Sequence, residues 1–154
     1  MQTTGIFIIA HAPLASALKT VAEHVYPDCG SALAHLDIFP ADDLLSCTSK
    51  ALQMMRTHSI NDWLILTDVF GATPCNIARG ILNELPPLRL RMVAGVNVPM
   101  LWRLLCYQHE SLDALAEKAL NGGTQGIMSI ESMTIHQQAS KANHHDQSYR
   151  QNQQ

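Results

Sequence analysis

Four short apolar runs, separated by stretches of helical period, fill the chain between Ile6 and Val96. An alternating β/α fold with a parallel sheet is the arrangement that accommodates them. Ile6 to Ala10 is apolar at every position, which suits a central strand covered on both faces. From Leu14 to Tyr26 the residues Leu14, Leu18, Val21, Ala22 and Val25 recur at helical spacing, and "YPDCG" stops that helix. Leu33 to Phe39 alternates more and reads as an outer strand, followed by an amphipathic helix over Asp42 to His58. Trp63 to Thr67 reads as a third strand, and Pro74 to Leu85 as a helix ended by two prolines. Leu88 to Val96 reads as the fourth strand. Met100 to Cys106 and Ser111 to Leu120 are then helical, the second closed by "NGG". Gly126 to Ile130 has the pattern of a short last strand with no evident partner, and from Gln137 onward the polar tail is expected to be disordered.

Composition narrows the function. With 154 residues the chain fits one domain, placed at residues 1–136 with the tail at 137–154. A net charge of −3 and scattered Lys and Arg give no electrostatic footprint for nucleic acid. No apolar run approaches the roughly 20 residues of a membrane span, and "MQTTGIFIIAHAP" lacks the basic start and cleavage site of a secretory signal. The four cysteines are far apart, without a CxxC pair, so reduced thiols in a cytoplasmic protein are the expectation.

Ligands of open α/β sheets bind beyond the carboxyl ends of the strands, where strand order reverses. Two ionisable residues occupy such ends: His11 after the first strand and Asp68 after the third. If the order is 2-1-3-4, they face each other across the crevice. A carboxylate that accepts from one imidazole nitrogen fixes the tautomer and leaves the other lone pair free as nucleophile or base. Taken alone, His11 reads equally well as a strand-end histidine satisfied locally. "DVFGATPCN" adds a second feature: Gly71 permits a tight turn, Thr73 is a natural N-cap, and Pro74 suits the first helical position. A helix starting there points free N–H groups and its positive dipole end at the crevice, forming an anion site.

Other chemistries lack their fingerprints. There is no GxGxxG after the first strand, no GxxxxGK[ST] and no GxSxG. The histidines do not fall at metal-ligand spacings, so no metal and no cofactor is expected. Cys75 reads as a packing residue, since no positive partner activates it.

The segments "GIFIIAHAPLASAL", "LILTDVFGATPCNIA", "VAGVNVPML" and "EKALNGGTQGI" resemble the enzyme IIA domains of the mannose family of the bacterial phosphoenolpyruvate-dependent sugar phosphotransferase system. The resemblance spans about Gly5 to Ile130. It implies that His11 is the residue phosphorylated by the carrier protein HPr, which then passes the phosphoryl group to an enzyme IIB. It implies further that Asp68 orients His11, that Gly71, Ala72 and Thr73 contact the phosphoryl group, and that Phe70, Asn97, Pro99 and Met100 line the site. The implied fold is an open, doubly wound, mainly parallel sheet of order 2-1-3-4. Its short antiparallel fifth strand is exchanged between the subunits of a homodimer. Val69 stands where relatives often carry a hydroxyl residue, removing one phosphate contact. Two other readings share these features: the phosphotransfer subunit of a dihydroxyacetone kinase, and a regulatory module that binds a partner or anion without catalysis.

Overall fold

A computed structural model of the chain describes residues 3–28, 32–83 and 88–130. In chain order the elements are β1 (Gly5–His11), α1 (Leu14–Val25), β2 (Leu33–Ile38), α2 (Leu44–Arg56), β3 (Asp62–Thr67), α3 (Thr73–Leu82), β4 (Arg89–Ala94), α4 (Val98–Cys106) and α5 (Leu112–Gln125). The four strands form one sheet of order β2-β1-β3-β4, every neighbouring pair parallel. This is the order expected from sequence, with β1 and β3 adjacent at its centre. Ile6 through Ala10 and Asp62 through Thr67 are buried without interruption, as two-sided coverage of central strands requires.

The helices divide between the two faces. Ile6, Ile8, Leu64 and Leu66 pack against Leu18 of α1, Leu101 and Leu104 of α4, and Leu115 and Ala119 of α5. Phe7, Ile9, Trp63 and Ile65 pack against Ala51 and Met55 of α2 and Ile77, Ala78 and Ile81 of α3. Side chains alternate faces along a strand, so each central strand feeds both cores. β4 is an edge strand, and Arg89 and Arg91 on it are exposed.

One expectation about the C-terminal third is corrected. "NGG" does not close the last helix: Gly122 and Gly123 lie inside α5, which runs on to Gln125. The glycines serve close packing. A Cβ on Gly122 would stand 2.8 Å from Arg103 Cβ, and one on Gly126 would overlap the Pro99 ring. Bare backbone here lets α5 lie tightly along α4, which outweighs the low helical propensity of glycine. Because the proline ring cannot rotate away, Gly126→Ala is expected to destabilise the protein by about 1–3 kcal/mol, read as a lowered midpoint in thermal denaturation. Residues 127–130, expected as a strand exchanged between two subunits, make no sheet pairing among the described residues of the single chain, and Ile127, Met128 and Ile130 are exposed.

Cys29, Pro86, Pro87 and the tail from Gln137 lie outside the described residues. Among the described residues no helix is long and apolar enough to cross a membrane.

Candidate functional site

β1 and β3 run side by side, with Ile9 opposite Thr67, so His11 and Asp68 leave the sheet together at its carboxyl edge. There the Asp68 carboxylate gathers three donors. Its Oδ2 accepts the His11 backbone N–H at 2.9 Å and lies 2.7 Å from His11 Nδ1; its Oδ1 accepts the Val69 N–H at 2.8 Å. The Asp68 side chain is 9% exposed and the His11 side chain 51% exposed. Burial pushes the carboxyl upward, but the His11 amide, the His11 ring and the Val69 amide outweigh it. Asp68 therefore titrates below its ordinary value of 3.8. An ionised carboxylate can only accept, so Nδ1 carries the ring proton. Nε2 then holds a free lone pair, and it makes no hydrogen bond among the described residues. The result is an oriented, half-exposed imidazole with one nitrogen available as nucleophile.

The loop from Asp68 leads into α3. Ala72, not Thr73, is the N-cap; Thr73 and Pro74 are the first two helical residues. Ala72 has extended backbone geometry and no capping side chain, so Thr73 is left with its hydroxyl unspent and its side chain exposed. Asn76 N–H closes the first turn on the Ala72 carbonyl, whereas the amides of Thr73 and Cys75 find no backbone acceptor among the described residues. Free amides at a ten-residue helix start make an anion site on the edge that carries His11. Gly71 precedes it at φ +82, a left-handed turn that L side chains disfavour. Cys75 is fully buried, in keeping with a packing role.

The three residues expected from the fourth strand's exit also serve packing. Asn97 caps α4 by accepting the Met100 N–H at 2.9 Å, and its Nδ2 donates to the Gly123 carbonyl at 3.2 Å. Met100 is buried in the core beneath α4, and Pro99 meets Gly126. These contacts hold the α4–α5 seam. Phe70 is 76% exposed and Val69 is exposed on the loop after Asp68, and Leu14 and Phe39 are exposed after β1 and β2. The rim around His11 is thus apolar and open.

Two residues that sequence reasoning missed fix this edge. Gly95, at φ +90, donates its N–H to both the Thr67 carbonyl (2.9 Å) and the Asp68 carbonyl (3.0 Å). It pins the peptide that carries the Asp68 carboxylate; its only sequence signal is a glycine between an apolar run and the cap residue Asn97. Asp37 Oδ1 accepts the Ser16 N–H at 3.1 Å and stands in for the side-chain cap that α1 lacks. That bond ties the segment after His11 to β2. Its signal is the lone acid in "LAHLDIF".

Known proteins share both sequence and architecture with this chain. The family model described as the PTS system fructose IIA component matches residues 5–120. The sorbose-specific EIIA component of Lacticaseibacillus casei is 30% identical over 96 residues, covering 62% of this chain and 67% of that protein. The fructose-specific EIIA component of Bacillus subtilis is 28% identical over 102 residues, 66% of this chain and 68% of the relative. Among solved structures, the mannose/sorbose-specific IIA subunit from Enterococcus faecalis superposes with a TM-score of 0.75 at 22% identity. It covers 88% of this chain and 99% of its own. The EIIA component from Streptococcus agalactiae gives 0.73 at 21% identity, over 82% and 96%. The family match runs from the first residue of β1 well into α5, across the whole sheet and the loop that carries Asp68. The chain belongs to the mannose-type enzyme IIA family of the sugar phosphotransferase system, whose members are phosphotransfer proteins of sugar uptake.

Proposed function

We propose that this chain is a phosphoryl carrier that takes a phosphoryl group from phospho-HPr onto His11 and hands it to an enzyme IIB. The observation that carries the reading is the 2.7 Å contact between His11 Nδ1 and Asp68 Oδ2, on a histidine half-exposed at the sheet edge. His11 Nε2 attacks phosphorus in line as the P–N bond to the donor imidazole breaks, and the bonding pair returns to that imidazole. The Nδ1 proton stays in place, so the phosphorylated ring carries a positive charge that Asp68 offsets. Thr73 Oγ1 and the free amides of the α3 start stabilise the transferring oxygens, with Gly71 and Ala72 shaping the loop. The second transfer runs the same step in reverse onto the IIB acceptor. A phosphohistidine donor already has high transfer potential, so neither nucleotide nor metal enters this scheme.

The open apolar rim of Leu14, Phe39, Val69 and Phe70 favours a protein donor and acceptor over a small substrate held in a deep pocket. The test is to mix the chain with phosphoenolpyruvate, enzyme I and HPr. An acid-labile phosphate on the chain is the expected result; an unlabelled chain would refute the carrier reading.

The carrier is further proposed to work as a homodimer. Among the described residues nothing pairs with the outer edge of β4, and Ile127, Met128 and Ile130 stand exposed just after α5. Exposed strand edges and adjacent apolar segments are normally covered. Pairing of residues 126–130 with a second copy covers both. Light scattering at micromolar concentration is expected to give twice the chain mass, and a monomer mass overturns the proposal.

A further inference from the structure

Thr67 closes β3 immediately before Asp68, and it is fully buried. Its Oγ1 has no hydrogen-bond partner among the described residues. The register sets it opposite Ile9. Since side chains alternate, Thr67 lies on the face that carries Ile9 and His11, opposite the residue two positions before His11. The rest of that face is apolar: Phe7, Ile9, Trp63 and Ile65 from the two strands, and Ile77 from α3. Valine has nearly the same shape and strand propensity, and it would spare the chain an unsatisfied buried hydroxyl. A polar group kept there against stability calls for another explanation. The backbone at this point is rigid, because the Thr67 carbonyl accepts from both Gly95 and Val96 at 2.9 Å. With no described residue bonded to it, the O–H can rotate about the Cβ–Oγ1 bond.

We infer that Thr67 is a positioning residue of the phosphoryl site, its hydroxyl turning its oxygen end toward the His11 ring as that ring becomes cationic. In a floor otherwise lined by hydrocarbon, a dipole free to rotate at little cost stabilises developing charge more than it would in water. The inference rests on the phosphoryl-carrier reading for its purpose, though not for the coupling between Thr67 and the ring. The charged groups at this edge are Asp68, bonded to the ring, and Asp37 and Asp42 on the β2 side, bonded to the Ser16 and Phe39 amides. The first turn of α3 brings no acidic group. All of these stay unchanged in the variants below.

The experiment compares Thr67→Val and Thr67→Ser with the native chain in two measurements. The first is the His11 titration midpoint by NMR, without any phosphoryl donor. The second is the rate of phosphoryl uptake from HPr. Thr67→Val is expected to melt no lower than the native chain and to lower the His11 midpoint by about half a unit. It is also expected to slow uptake roughly three- to tenfold, less than the loss of a donor in direct contact. Thr67→Ser, which keeps the hydroxyl, is expected to restore both. An unshifted midpoint in Thr67→Val overturns the inference whatever the uptake rate. A native chain that takes no phosphate refutes the carrier reading instead, and the midpoint still decides whether Thr67 acts on the ring.

Discussion

Replacing His11 with alanine is expected to abolish acid-labile phosphate on a chain that remains folded. The side chain is half exposed and, among the described residues, bonds only to Asp68, so no core contact is lost and the stability change should stay within about 1 kcal/mol. The His11 backbone N–H still donates to Asp68 in the variant, which keeps the end of β1 in place. No other histidine among the described residues has this setting. The His58 ring stands edge-on to Trp63, 5.4 Å between centroids, with Nδ1 beside the Met54 carbonyl. His35 lies within β2, away from the strand exits. A histidine phosphoramidate is cleaved by mild acid, whereas Ser and Thr phosphate esters survive, so the label's lability identifies its chemical type. Label persisting in His11→Ala at the native level would place the acceptor elsewhere and remove His11 from the mechanism.

The parts of this architecture that were legible in the sequence are those dictated by local periodicity. Ile6 to Ala10 could only be a doubly covered strand, and the helical spacings of α1 and α2 show on one face each. The His11–Asp68 pair was reachable because both residues break apolar runs at the same relative point, and a parallel sheet places equivalent ends together. What eluded sequence reasoning depended on tertiary contact. Gly122 and Gly123 read as a helix stop, because low propensity was visible and the approach of α4 was not. Thr73 read as the cap, because the residue type favours it; the turn set by Gly71 starts the helix one residue earlier and frees the hydroxyl. The contacts of Asn97, Pro99 and Met100 with α5 and the core were likewise invisible in the sequence. The roles of Gly95 and Asp37 reside in single hydrogen bonds between elements distant in sequence, for which periodicity carries no signal.

Asp68→Asn is expected to leave the fold intact and slow phosphoryl uptake by His11 between about 10² and 10⁴-fold, the range seen when a carboxylate that orients a catalytic imidazole is lost. The reason lies in the count of donors. The native carboxylate meets the His11 N–H, the Nδ1 proton and the Val69 N–H, two on Oδ2 and one on Oδ1. An amide has a single acceptor oxygen. If that oxygen faces Val69, the amide N–H₂ points at His11, drives the ring proton to Nε2 and blocks the nucleophile. If it faces His11, the amide opposes the Val69 N–H and the ring loses its charged partner. Either orientation removes the negative charge that offsets the phosphorylated ring. Asp68→Ala avoids the mismatch, so it should slow uptake by a comparable factor while leaving the ring tautomer free. The pH dependence follows with its sign. The folded-state pKa of Asp68 is depressed below 3.8, so its charge, and the stability it confers, is fully present above the ordinary carboxylate range. That contribution is lost only as pH falls through the depressed value. Between about pH 5 and 8 the native uptake rate should therefore show no limb from Asp68. Native-level uptake in both variants, measured at saturating phospho-HPr, would remove Asp68 from the mechanism and leave its bonds to His11 a purely structural tie.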